Sequence, residues 1–181
     1  SSIQVGDYTL TNSGSSDGMV IKYSAEGKVE WAKSIGGSSN DYLYSVTSTS
    51  EGGYIAGGYF ASISIQIGDY TLTNSANNDG MIIKYSAEGE VEWATSISGD
   101  SNERIHSVTS TSDGGVIAGG TFYNSSIQVG DYTLTNSGSF DGMIIAYNKD
   151  GEIEWATSIG ANSVDSIQSL VTTSDGGVIA A

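Results

Sequence analysis

An all-β protein assembled from β-propeller blades is what the sequence predicts, on three observations. A unit of 62 residues recurs without insertion or deletion, the third copy ending early: Ile-Gln-Val-Gly-Asp-Tyr-Thr-Leu-Thr-Asn at 3–12 returns at 65–74, with Ile67 for Val5, and again at 127–136. Trp31, Trp93 and Trp155 keep that spacing, as do the glycine pairs that begin at Gly52, Gly114 and Gly176. Apolar residues follow strand periodicity, and nowhere does a 3.6-residue period persist long enough for a helix. Proline is absent beside 25 glycines, so the turns depend on Gly, Asn and Asp. Self-similarity at a fixed period marks an array, in which each unit buries its apolar face against its neighbours. The chain reads as one propeller segment, 1–181, with repeats 1–62, 63–124 and 125–181.

The middle copy justifies each element in order. Ser64-Ile-Gln-Ile67, the turn Gly68-Asp69 and Tyr70-Thr-Leu-Thr73 form a hairpin. Asp79-Gly80 opens the β-branched and aromatic run Met81-Ile-Ile-Lys-Tyr85, and Ser86-Ala-Glu-Gly89 turns the chain, with glycine where positive φ is needed. In the returning strand, strict alternation places Val91, Trp93, Thr95 and Ile97 on one face and Glu92, Ala94 and Ser96 on the other. A polar stretch, Ser98 to Glu103, leads to a strand over 105–111. Asp113-Gly114-Gly115 turns again, and 116–122 is apolar on both faces, as a strand is when layers press on it from each side. Each repeat therefore supplies four main strands, the makings of a four-stranded antiparallel blade, plus a hairpin.

A β-trefoil unit is shorter than this repeat, and a β-solenoid shows a shorter internal period than any found here. A propeller blade occupies roughly 40–50 residues, and an inserted hairpin brings that close to the observed length. The ends are out of phase: the chain opens on a hairpin and a third strand, and stops at Val178-Ile-Ala-Ala181 in a second strand. Rings hold about 4–8 blades, so closure is expected either from a second copy, giving a six-bladed dimer, or from further blades of a longer protein.

Composition narrows the partners. Six basic against 21 acidic side chains give a formal charge of −15, which argues against nucleic-acid binding and against docking on anionic membranes. No apolar run approaches the ~20 residues of a membrane span, so no membrane insertion is expected. Without cysteine, disulfides and thiolate metal sites are excluded. The chain opens at Ser1 inside a repeat, and a preceding segment is expected.

The motifs Asp17-Gly-Met-Val-Ile-Lys-Tyr23, Val29-Glu-Trp-Ala-Lys-Ser-Ile-Gly-Gly37, Asn40-Asp-Tyr42 and Ser50-Glu-Gly-Gly-Tyr-Ile-Ala-Gly-Gly-Tyr59, with Gly27 between, resemble the bacterial β-propeller repeat labelled SBBP, found in large secreted and surface proteins. The likeness spans nearly all of each repeat and is closest in the first copy. It implies a propeller fold and an extracellular or bacterial cell-surface setting, and it implies no reaction, because the scaffold defines the family.

No constellation of residues names a chemistry. Asp17, Asp79 and Asp141 precede glycine in loops offering one carboxylate each, which suits a turn better than a Ca²⁺ site, so no cofactor or metal is expected. The three Trp share strand positions with Val and Ile and are expected to pack between blades rather than serve as sugar platforms. His106 is replaced by Tyr44 and Gln168 in the sister repeats, poor ground for a catalytic base. Differences among the copies concentrate at 39–44, 102–106 and 163–168, loops expected on a common end of the ring. Within them Asp41, Tyr42, Tyr44, Glu103, Arg104, His106, Asp165 and Gln168 are the candidate partner-binding residues. The expectation is a non-enzymatic interaction or adhesion module that meets an extracellular protein or glycan. A purely structural spacer and a carbohydrate-binding lectin are the alternatives.

Overall fold

A computed structural model describes the whole chain, Ser1 to Ala181: eighteen strands and no helix. In chain order they are β1 (Ser2–Val5), β2 (Tyr8–Thr11), β3 (Gly18–Tyr23), β4 (Val29–Ile35), β5 (Asp41–Ser48), β6 (Tyr54–Phe60), β7 (Ser64–Ile67), β8 (Tyr70–Thr73) and β9 (Asp79–Tyr85). There follow β10 (Val91–Ile97), β11 (Glu103–Ser110), β12 (Val116–Phe122), β13 (Ser126–Val129), β14 (Tyr132–Thr135), β15 (Asp141–Tyr147), β16 (Ile153–Ile159), β17 (Leu170–Thr172) and β18 (Val178–Ala180).

Two complete antiparallel blades form, β5-β6-β9-β10 and β11-β12-β15-β16, flanked by the two-stranded pieces β3-β4 and β17-β18. Each blade thus takes its first two strands from one repeat and its last two from the next. The hairpins β7-β8 and β13-β14 interrupt the blades between second and third strands. They lie along the outermost strands, where the Tyr70 and Tyr132 hydroxyls donate to the carbonyls of Glu92 and Glu154, each at 2.6 Å. Tyr8 does the same to Glu30 at 2.5 Å. An exposed two-stranded hairpin is marginal by itself, so this anchor and the apolar side chains beneath it hold the insertion in place.

The core lies in layers between blades. Val20, Trp31 and Ile35 of the first half-blade meet Ala56, Met81 and Ile83 of the next blade. Ile55, Ile82, Trp93 and Ile97 on that blade's other face meet Ile105, Val108, Met143 and Ile145. Ile117 and Ile144 close on Ile167 and Leu170. The middle strands β9, β12 and β15 are buried throughout, which for β12 is the two-faced burial expected of 116–122.

The outer strand departs from its predicted alternation. A bulge at Glu92 pairs Val91 with Tyr85 but Trp93 with Lys84, so Val91 turns to the opposite face from Trp93. Val91 and Ala94 pack into the layer containing Trp31, whereas Trp93 and Ile97 pack into the following one. One extra residue flips the side-chain phase. Glu103, read as the end of a polar loop, is instead the fully buried first residue of β11.

The inner strands carry a second set of bulges, at Tyr44 and His106, each the unpaired residue between a Leu43/Ser45 or Ile105/Ser107 step in register. Gly58 lies beneath the first of these. A Cβ there would stand 1.8 Å from the Tyr42 carbonyl oxygen, which explains glycine inside an otherwise bulky strand.

Candidate functional site

The loops entering the inner strands and those entering the third strands run together at one end of the blades. Single parallel bridges join Ser16 to Asn40, Asn78 to Asn102 and Phe140 to Val164. In each case an inner-strand amide, that of Asp41, Glu103 or Asp165, donates to the carbonyl across the bridge. The variable segments of the three repeats therefore share an end, which places most of the candidate residues in one neighbourhood.

The carboxylates at that end serve the loops. Asp41 is fully buried and accepts from the amides of Gly37 (2.8 Å), Ala61 (3.1 Å) and Ser62 (3.2 Å) and from the Ser62 hydroxyl (2.7 Å). Asp165 accepts from the Ala161 amide alone, at 2.9 Å. Glu103, one methylene longer, is buried with neither carboxylate oxygen in a hydrogen bond of ordinary geometry, and the Gly99 amide offsets only part of that burial. Burial, and then the charge of Asp79, push its pKa up to about 8. Asp17, Asp79 and Asp141 accept from the amides of Ser13, Ser75 and Ser137 at 2.8–3.0 Å, the turn role expected of Asp before Gly.

The remaining candidates build a surface. The bulge at Tyr44 aims its ring across the blade boundary onto His106, 5.8 Å between centroids and 28° between planes. Tyr42 stacks beside Tyr44 at 6.3 Å and 11°, and Tyr59 closes the group at 5.3 Å from Tyr42 and 5.7 Å from Tyr44. The Arg104 guanidinium lies 4.7 Å above the Tyr59 ring, a cation–π contact joining the two blades. Tyr59 is nearly buried, and burial together with the neighbouring Tyr44 hydroxyl pushes its pKa up to about 12, so it stays a neutral donor. Burial and then the Arg104 charge lower the pKa of His106, which faces the Thr121 hydroxyl at 3.2 Å and is neutral at pH 7. Tyr44 remains exposed at the rim.

Gln168, third in the Tyr44/His106 series, bonds Ser166 within its own blade. Tyr59 was not among the sequence candidates, although a signal existed: on a strand that differs from its sister only there and at its first residue, Tyr59 stands where the sister repeat has Thr121. A set of aromatic faces with one fixed cation can hold an apolar or sugar-like ring surface and an adjacent anionic group. No group of three or more His, Asp or Glu side chains is arranged to hold a metal ion.

Four-stranded antiparallel blades packed face to face, repeating at a fixed interval, define a β-propeller-type repeat protein. The chain is similar to an uncharacterized WD repeat-containing protein of Acanthamoeba polyphaga mimivirus, 26% identical over 141 residues. The match covers 71% of this chain and 10% of that much longer protein. No family model matches the chain.

Proposed function

We propose that the chain is a non-catalytic interaction module, part of a bacterial surface or secreted protein of the SBBP-like kind, and that it engages an extracellular partner through the Tyr42–Tyr44–Tyr59–Arg104–His106 surface. One observation carries the reading. Repeats that are nearly interchangeable along their strands differ where these side chains stand, and the fold gathers those differences into one aromatic and cationic patch spanning two blades. Tyr and Arg are the residues that most often dominate binding energy at interfaces. Likeness to a WD repeat-containing protein supports an interaction role over a catalytic one.

A glycan-binding role is the second reading, favoured by the near-parallel Tyr42 and Tyr44 rings, which form a flat platform. Binding to a panel of purified extracellular matrix proteins, run beside a glycan array, tests both. Truncating Tyr44 or Arg104 to Ala should weaken the bound species by about thirtyfold, the scale of a 2 kcal/mol hot spot. Binding that ignores both substitutions, or none on either panel, leaves the structural-spacer role instead.

A further inference from the structure

We infer that the aromatic patch holds the oxyanion of a single acidic sugar, with the Arg104 guanidinium as its fixed cation, and that each chain carries one such site. The inference rests on the glycan-binding reading above and narrows it to a ligand class. Arg104 is the only arginine in the sequence, set among 21 acidic side chains. Lys22, Lys33, Lys84 and Lys149 each pair with a carboxylate. Arg104 pairs with none, and its Nε, shut off from solvent, meets no acceptor. The Tyr59 face holds the guanidinium instead, 4.7 Å from the ring centroid. A ring contact fixes a cation without consuming its in-plane N–H donors. What remains is a planar fork matched to a carboxylate or a sulfate.

The next joint between blades does not repeat this arrangement. Ser166 stands where Arg104 stands, and Thr121 where Tyr59 stands, so cation and ring meet once, between the two complete blades. Both strands that supply them, β6 and β11, lie inside those blades.

The neighbouring rings set what carries the anion. Tyr42 and Tyr44 are near-parallel, and Tyr59 lies 5.3 and 5.7 Å from them. A pyranose can rest its apolar face on such rings while its hydroxyls meet the phenols. A protein interface uses about 20–30 residues a side, many more than these few side chains. The formal charge of −15 bounds the ligand from the other direction. A polyanion is repelled by the acidic surface, whereas one oxyanion touching the guanidinium acts well within the ~8 Å screening length. His106, neutral at pH 7, adds no second charge.

Isothermal titration calorimetry with a trisaccharide ending in a uronic acid tests this, beside its carboxyl-reduced neutral counterpart, a sulfated counterpart and heparin. The uronic acid should bind at one site per chain, about tenfold or more tighter than the neutral sugar, the scale of one charged hydrogen bond. Arg104→Gln should remove that difference, and Arg104→Lys should restore part of it, because the charge returns without the fork. Lys28→Gln, at an exposed cation outside the patch, should change nothing. A preference for the uronic acid or for the sulfated sugar assigns the oxyanion to carboxylate or to sulfate. Equal affinity for acidic and neutral sugars, lost on Tyr44→Ala, would keep the glycan reading and overturn this inference. Heparin binding tightest, several sites per chain, or acidic-sugar binding indifferent to Arg104→Gln would overturn it as well. Silence of every sugar would overturn it together with the glycan reading, leaving the protein partner to stand on its own panel.

Discussion

Trp93 donates its indole N–H to the carbonyl oxygen of Lys149, 3.0 Å away on the following blade and 56 residues further along the chain. Trp31 makes the same bond to Ala87 at 3.4 Å. The ring lies flat over a turn glycine while its N–H satisfies a carbonyl that the turn leaves free, so one residue supplies apolar area and a polar partner together. Lys84 reinforces the joint, its ammonium donating to the same Lys149 carbonyl at 3.1 Å while paired with Glu92 at 3.3 Å. Lys22 does the same at the first joint, its ammonium donating to the Ala87 carbonyl at 3.4 Å.

Replacing Trp93 by Ala should cost about 3–5 kcal/mol, the range for emptying a large aromatic site in a core. Urea denaturation followed by circular dichroism measures it. Trp31→Ala should fall in the same range, since its ring is buried to the same degree.

The turn glycines beneath these rings should be the least replaceable. Gly89 has φ +83°, and a Cβ there would stand 2.8 Å from the Trp31 ring, whereas Gly176 has φ +88° in open space. Gly176→Ala should cost about 1–2 kcal/mol, the left-handed strain alone. Gly89→Ala should cost more than that, because the ring must also move. Equal midpoints for the two variants would refute the distinction.

Glu103 predicts a pH dependence. Its folded-state pKa, about 8, lies above the ordinary 4.5 of an exposed glutamate, so between those values the folded chain holds a proton that the unfolded chain has released. The contribution is complete below the unfolded value and is lost as pH rises through the folded one, with a slope of at most about 1.4 kcal/mol per pH unit between them. Glu103→Gln carries no charge to bury. It should flatten the decline and make the variant more stable than the wild type at pH 8, by roughly 1–3 kcal/mol. Denaturation curves at pH 5 and pH 8 supply the comparison.

Asp41 and Asp165 occupy the same repeat position with different duties. Asp41→Ala strands the Gly37 and Ser62 amides and the Ser62 hydroxyl in a buried loop, while the Ala61 amide keeps the Asn40 carbonyl, and should cost about 2–4 kcal/mol. Asp165→Ala loses one bond near the surface and should cost less than about 1 kcal/mol. Thermal melts of the two variants distinguish them.

Much of this architecture is legible in the repeats. The hairpin over 64–73, the turns closed by Gly89 and Gly114, and the two-faced burial of 116–122 all form where residue type and period put them, because these depend on local backbone preference and on how many layers cover a strand. The face of Val91 was not legible. A bulge at Glu92 leaves no mark in an apolar–polar pattern, since it is selected by how the outer strand must bend against its neighbour.

The candidate surface was legible as a set of positions and not as a set of roles. Comparing sister repeats singled out Tyr42, Tyr44, Arg104 and His106, yet it also drew in Asp41 and Glu103, whose side chains turn inward. Adjacent residues on a strand point to opposite faces, and only the packing says which face is buried.

By itself, then, the sequence determined the all-β class, the 62-residue unit with its hairpin and turns, and the offset between repeat and blade, because each follows from local conformational preference and exact repetition. Only the tertiary structure decided that bulges re-aim Tyr44 and His106, that Val91 and Trp93 turn to opposite faces, and that Glu103 is buried while Tyr44 stands at the rim. The reason is physical: those features arise from which layer lies against which, and three nearly identical repeats acquire different surroundings once the chain arranges them in space.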